Sequence, residues 1–181
     1  MGSWADHLIV KGIKPIRKYN NTWFNVNTDA STWTNDYDYF TEFPFNWLSI
    51  TNNGTRIRII FSDNDTQPDS TFQCYAHAKG CDSYTSSQII SALNSVSRST
   101  IMELNNNNYF ANSFHIGCFD ATGSYSGIYS RPNKNVQFTQ CARYFQGANA
   151  RGTDYDIMSF QQWTYLQALF VLLYKSTNSQ T

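Results

Sequence analysis

The sequence predicts an α+β protein: a β-rich N-terminal region over residues 1–65, followed by a mixed region over residues 66–181 with two to three helices. Three observations lead there. Apolar runs in the first part are paired across Asn-rich turns, as hairpins require. In the second part, two Ser/Thr-x-x-Gln boxes each open a segment with apolar residues at helical spacing. Thirteen Phe, twelve Tyr and five Trp supply enough apolar surface to bury, which excludes a disordered chain.

Taken in order, His7–Lys11 reads as a short apolar strand. Lys14–Tyr19 runs into a turn at Asn20-Asn21 and returns through Thr22–Val26. Asp36–Phe45 is an aromatic-rich extended stretch interrupted by Pro44. Trp47–Ile50, the Asn52-Asn53-Gly54 turn and Arg56–Phe61 form a second hairpin, in which Arg56 and Arg58 alternate with Ile57 and Ile59 and take the solvent face. Ser62–Ser70 is polar, carries Pro68 and reads as a linker. Thr85–Gln88 is the first capping box, opening a helix through Ile89, Ile90, Leu93 and Val96, and Asn105–Asn108 is a loop. Ser113–Phe119 reads as a strand ended by Gly123. Val136–Phe145 presents one apolar helical face, with Gly147 suited to stop it. Ser159–Gln162 is the second capping box. The helix it opens is apolar almost all round and so is buried or covered by a partner.

Thirteen basic and thirteen acidic residues cancel, and charged residues are only 14% of the chain. No basic field draws in nucleic acid. The longest apolar run, Leu166–Tyr174, falls far short of the roughly 20 residues that span a bilayer, so no membrane insertion is expected. The first residues lack the basic start and apolar core of a secretory signal.

Catalytic chemistry has few candidates. No nucleophile elbow, phosphate-binding loop or zinc-protease helix occurs. Asp36 and Asp38 flank Tyr37, and Asp154 and Asp156 flank Tyr155. Such pairs suit calcium or a glycosidase, but capping and turn solvation are the plainer reading. His115 and Cys118 point to opposite faces of a strand, which excludes a local thiol–imidazole pair. Cys74, His77 and Cys81 lack the tight spacing of a zinc site, so no metal and no cofactor is expected. Free core thiols or a local bridge account for Cys74, Cys81, Cys118 and Cys141. Trp23, Trp33, Tyr37, Tyr39 and Trp47 are the candidate sugar-stacking rings, but no regular spacing marks a platform and filling the core of a β-rich module is their plainer role.

The last third resembles a known family. Gly117-Cys-Phe-Asp-Ala-Thr-Gly-Ser124 is followed by Ser130-Arg-Pro-Asn133 and then by Val136-Gln-Phe-Thr-Gln-Cys-Ala-Arg-Tyr-Phe145. Tyr155-Asp-Ile-Met-Ser-Phe-Gln-Gln-Trp163 comes next, then an apolar helix and Lys175-Ser-Thr-Asn-Ser-Gln180. In order and spacing this is similar to the first half of the C-type-lectin-like fold shared by formylglycine-generating-type domains and phage tail proteins. The resemblance covers about residues 114–180. It implies a non-enzymatic phage virion protein, a tail or head fibre or receptor-binding appendage supporting host-surface attachment. The runner-up is a monomeric carbohydrate-binding module. Implied partners are other virion proteins, a second and third copy of the chain in a homo-oligomer, and a host cell-surface glycan. Trp163, Leu166, Leu169, Phe170 and Leu173 are the expected assembly face. The family's ligand loops follow its second helix, beyond the matching stretch, so the resemblance assigns no catalytic or ligand-binding residue.

Overall fold

The computed structural model describes residues 8–20, 22–77, 111–124, 127–132, 141–152 and 155–174. Expectations for His7, residues 78–110, residues 133–140 (which include the first half of the Val136–Phe145 helix), Asp154 and residues 175–180 lie outside the described residues. Among those described, the fold is α+β, with antiparallel sheets and three helices. They form two compact units. The first comprises residues 1–12, 44–114 and 159–181; the second comprises residues 13–43 and 115–158. The segment Ser62–Ser70, expected as a linker, lies inside the first.

The first unit holds helix α1 (Leu8–Gly12) and a three-stranded sheet. That sheet comprises β4 (Trp47–Asn52), β5 (Ile57–Ser62) and β6 (Phe72–Gln73), ordered β5-β4-β6. His7–Lys11 was expected to be a strand, but the run is helical. Five residues are too few for periodicity to choose between the two, and Ile9, on the helix, is buried. The expected β4–β5 hairpin forms, with Asn52 opposite Ile57, around Gly54 at φ +85°, where a glycine carries no steric penalty. Its alternation is weaker than expected: Ile57 is exposed because β5 is an edge strand.

The final helix, here α3 (Phe160–Tyr174), starts where the capping box places it. Ser159 N–H donates to Gln162 Oε1 at 2.9 Å, and Gln162 N–H donates back to Ser159 Oγ at 3.1 Å. Tyr165, Ala168 and Leu169 face inward at i, i+3 and i+4. Around them lie Phe45, Trp47, Phe72, Cys74, His77 and Phe114, all buried. His77 sits at the centre, its ring 5.0 Å from Phe45, 4.9 Å from Phe114 and 5.8 Å from Tyr165. A carbonyl only accepts, so the 2.9 Å contact to Pro44 O makes His77 Nε2 the donor.

The second unit is built on a four-stranded antiparallel sheet. Its strands are β1 (Lys14–Tyr19), β2 (Thr22–Asn25), β3 (Asp38–Pro44) and β7 (Ser113–Gly117), in the order β2-β1-β3-β7. β3 and β7 each have one end in the first unit. The first hairpin is as expected, with Tyr19 opposite Thr22 and Asn20 at φ 45° in the turn. A hairpin that the sequence reading missed, β8 (Thr122–Ser124) with β9 (Gly127–Tyr129), contains Gly123 rather than ending at it. Gly123 has φ +121°, and a Cβ there would collide with the Gly127 carbonyl. Helix α2 (Cys141–Asn149) runs through Gly147, which was expected to stop it. Gly147 is buried inside the helix, and packing there overrides its stop preference.

Trp47 is fully buried, and its Nε1–H donates to Asn64 O at 3.0 Å. Trp47→Ala removes that ring and leaves a cavity, so urea denaturation is expected to show a loss of about 4 kcal/mol. A loss under about 1 kcal/mol would mean that this core tolerates the void.

Candidate functional site

Five segments of the second unit converge on a hollow of about 340 Å³. It is lined by Lys18, Tyr19, Asn20, Asp36, Asp38, Tyr129, Arg131, Arg151 and Tyr155. Local structure explains each position. The β1–β2 turn presents Lys18, Tyr19 and Asn20 at the end of the sheet. Asp38 begins β3, Tyr129 ends β9, Arg131 follows it, and Arg151 follows α2.

Asp38 is the anchor. It is 3% exposed, and both its oxygens are taken: Arg131 Nε donates to Oδ1 at 3.1 Å and Arg151 Nη2 donates to Oδ2 at 2.6 Å. Arg151 also donates through Nη1 to Ile128 O at 2.7 Å, tying β9 to the start of β3. Beneath the guanidiniums lie aromatic faces. Arg131 and Arg151 are each 4.3 Å from the Tyr129 ring, and Arg151 is 4.8 Å from Tyr155. Lys18 Nζ is 4.4 Å from Tyr155 and 4.9 Å from Trp23. Planar cations on ring faces lose little further freedom when they bind.

Asp38 was expected to solvate a turn or cap a helix. It does neither, because the two arginines draw it into the interior. Asp36 stays exposed, its Oδ2 accepting from Thr34 Oγ1 at 3.0 Å. Asp156 is exposed and accepts from Ile157 N–H at 2.7 Å.

The five predicted stacking rings divide between the units. Trp47 belongs to the core of the first. Tyr39 is 1% exposed, its hydroxyl accepts from Thr34 N–H at 2.9 Å, and Trp33 stacks on it at 4.5 Å. Neither Trp47 nor Tyr39 has a face left for a sugar; of the two roles weighed for these rings, both take the core one. Tyr37 carries the Arg17 guanidinium at 4.2 Å. Trp23 is 40% exposed, with His115 stacked on it at 4.4 Å. Tyr129, Tyr155, Lys18, Arg131 and Arg151 were missed. The resemblance includes the Ser130-Arg-Pro segment but gives Arg131 no role, and no local pattern ties it to Asp38.

The five residues expected on an assembly face do not share one exposed stripe. Leu169 is buried, so it cannot meet a partner. The outward stripe of α3 is Phe160 and Trp163 with Tyr174, against whose ring Phe170 packs at 4.8 Å. Leu166 and Leu173 are half-buried at its flank.

A second hollow, of about 300 Å³, lies in the first unit between Leu48, Ile50, Cys74, Phe160 and Tyr165, among others. Burial pushes the Cys74 thiol well above its ordinary range, so it stays protonated and unreactive. Burial likewise raises the Tyr165 hydroxyl to about 12, opposed by the Asn46 hydrogen bond. Cys74 and Cys118 are free thiols, and no group of three metal-ligating side chains occurs among the described residues. Cys118 Sγ contacts Thr41 Oγ1 at 3.4 Å. No family model, no curated protein and no solved structure matches the chain.

Two tests follow from this geometry. Asp38→Asn leaves two buried-side guanidiniums without their counter-charge, and chemical denaturation is expected to show a loss of about 3–5 kcal/mol. A double-mutant cycle with Arg151→Gln should show coupling above about 1 kcal/mol; additive losses would mean that the pair acts independently. Desolvation lowers the pKa of His115 below its ordinary 6.5, outweighing the opposing pull of Glu42 at 3.8 Å; Lys18 lowers it further. The unfolded chain therefore binds the extra proton first as pH falls. Stability from this site is complete above pH 6.5 and declines below it, towards the folded-state pKa. Thermal melts of His115→Gln across that window should have a shallower acid slope than the parent.

Proposed function

We propose that the chain is a non-enzymatic component of a phage particle, a tail or head fibre or similar appendage, that attaches to host-surface saccharide. Residues 114–180 carry the lectin-like motifs, a reading supported by the order of the Gly117–Ser124, Ser130–Asn133 and Tyr155–Trp163 runs. The observation that carries the binding role is the hollow itself, a concave site with hydrogen-bonding groups and tyrosine rings in close reach. Its buried carboxylate is held by two arginines, an arrangement that suits a fixed scaffold better than proton transfer.

Assembly draws support from α3. Phe160 is 78% exposed, Trp163 46% and Tyr174 68%, on one stripe at helical spacing. Exposed aromatics on a single stripe are what a symmetric interface would cover, a trimer being the usual fibre form.

Light scattering coupled to size-exclusion chromatography should give a trimer for the parent chain. Phe160→Glu with Trp163→Glu should give a monomer with an unchanged far-UV spectrum, since both side chains point outward. Immobilised cell-wall glycan and lipopolysaccharide panels should retain the chain without releasing reducing sugar. A monomer that still binds glycan would be a free-standing carbohydrate-binding module. Retention on no panel member removes the attachment role, and sugar release removes the non-enzymatic one.

A further inference from the structure

The hollow of the second unit has an unspent cationic edge. Arg151 uses Nη1 and Nη2 for Ile128 O and Asp38 Oδ2, and two rings enclose it; it is a structural strut. Arg131 differs. Only its Nε is committed, to Asp38 Oδ1 at 3.1 Å, and its guanidinium lies 4.3 Å from Tyr129. Among the described residues its Nη1 and Nη2 have no hydrogen-bond partner, and the side chain is 29% exposed. A guanidinium held at Nε and supported on one face presents the two-pronged edge that carboxylate and phosphate oxygens accept in parallel. Lys18 supplies a second cation on the same hollow and, among the described residues, pairs with no carboxylate. With Asp36 and Asp38 counted against Lys18, Arg131 and Arg151, one positive charge is left over. Tyr19, 50% exposed, and Asn20 stand on the same lining, a ring face and an amide suited to a pyranose and its hydroxyls.

We infer that the saccharide bound here is anionic. Its carboxylate or phosphate pairs with the outer edge of Arg131 and with Lys18, and a neighbouring sugar ring lies against Tyr19. This rests on the glycan-binding reading and narrows it to one ligand class. Arg131 is then the specificity-determining contact, Lys18 an accessory charge, and Asp38 the group that aims Arg131.

Calorimetric titration of the full chain with three probes tests the inference. Oligogalacturonate offers carboxylates, poly(glycerol phosphate) offers phosphates, and neutral galacto-oligosaccharide offers neither. At least one charged probe should bind at least about tenfold more tightly than the neutral one, and its affinity should fall as salt is raised. Which charged probe binds distinguishes the two anion sources. Arg131→Lys should weaken that binding about tenfold despite keeping the charge, because a lysine has no fork. Lys18→Gln should weaken it several-fold. If Arg131→Lys melts early, Lys18→Gln, an outward change, still decides the matter. Equal binding of charged and neutral probes overturns this inference and leaves glycan attachment standing. Failure of both charged probes, or charged binding unchanged in both variants, also overturns it. Retention on no glycan panel brings down the parent reading as well.

Discussion

An ionised carboxylate stripped of water is destabilising by several kcal/mol unless it is paired and hydrogen-bonded. The second unit depends on meeting that demand at Asp38. Its two oxygens receive Arg131 and Arg151, residues 93 and 113 positions further along the chain. Three separate pieces of chain are thereby tied together: the start of β3, the exit from β9 and the exit from α2. Backbone bonds reinforce the same place, with Tyr39 N–H donating to Ser130 O at 2.8 Å and Cys118 N–H to Tyr39 O at 3.0 Å. Ser130 Oγ accepts from Phe119 N–H at 3.0 Å, so the buried hydroxyl beside this network has its own partner.

The aromatic residues are what make such a network compatible with a chain of so little charge. Tyr129 and Tyr155 serve as platforms on which guanidinium and ammonium groups rest, and Tyr37 does the same for Arg17. On β1, Arg17 and Lys18 are successive residues and so leave on opposite faces, each meeting rings there. Part of the aromatic abundance in this unit is core, as at Tyr39, and part of it supports cations. The second part orients those cations, and that orientation gives the hollow its chemical character.

In the first unit the central polar group is a histidine, held differently. His77 lies among Phe45, Phe114 and Tyr165, with one ring nitrogen donating to the Pro44 carbonyl. Cys74, three residues earlier, is buried beside it. Both side chains help to fill this core. Asn46 joins it to α3, donating through Nδ2 to both Pro44 O at 3.0 Å and Tyr165 Oη at 3.2 Å.

By itself the sequence determined the elements whose signals act over a few residues. The Asn turns set the β1–β2 and β4–β5 hairpins, because backbone at positive φ favours Asn and Gly. Ser159 and Gln162 set the start of α3, because their side chains reach only the nearest free N–H groups. It also determined that α3 is too apolar to stand in water uncovered, without determining which face turns inward. Tertiary structure alone decided the rest. A strand-like run at Leu8–Gly12 is helical, and α2 continues through Gly147, which is buried there. Whether a tyrosine is core or platform, and whether an aspartate is a turn cap or an anchor, depends on what arrives from a hundred residues away. Coulomb attraction and burial act through space, and no spacing rule along the chain carries them.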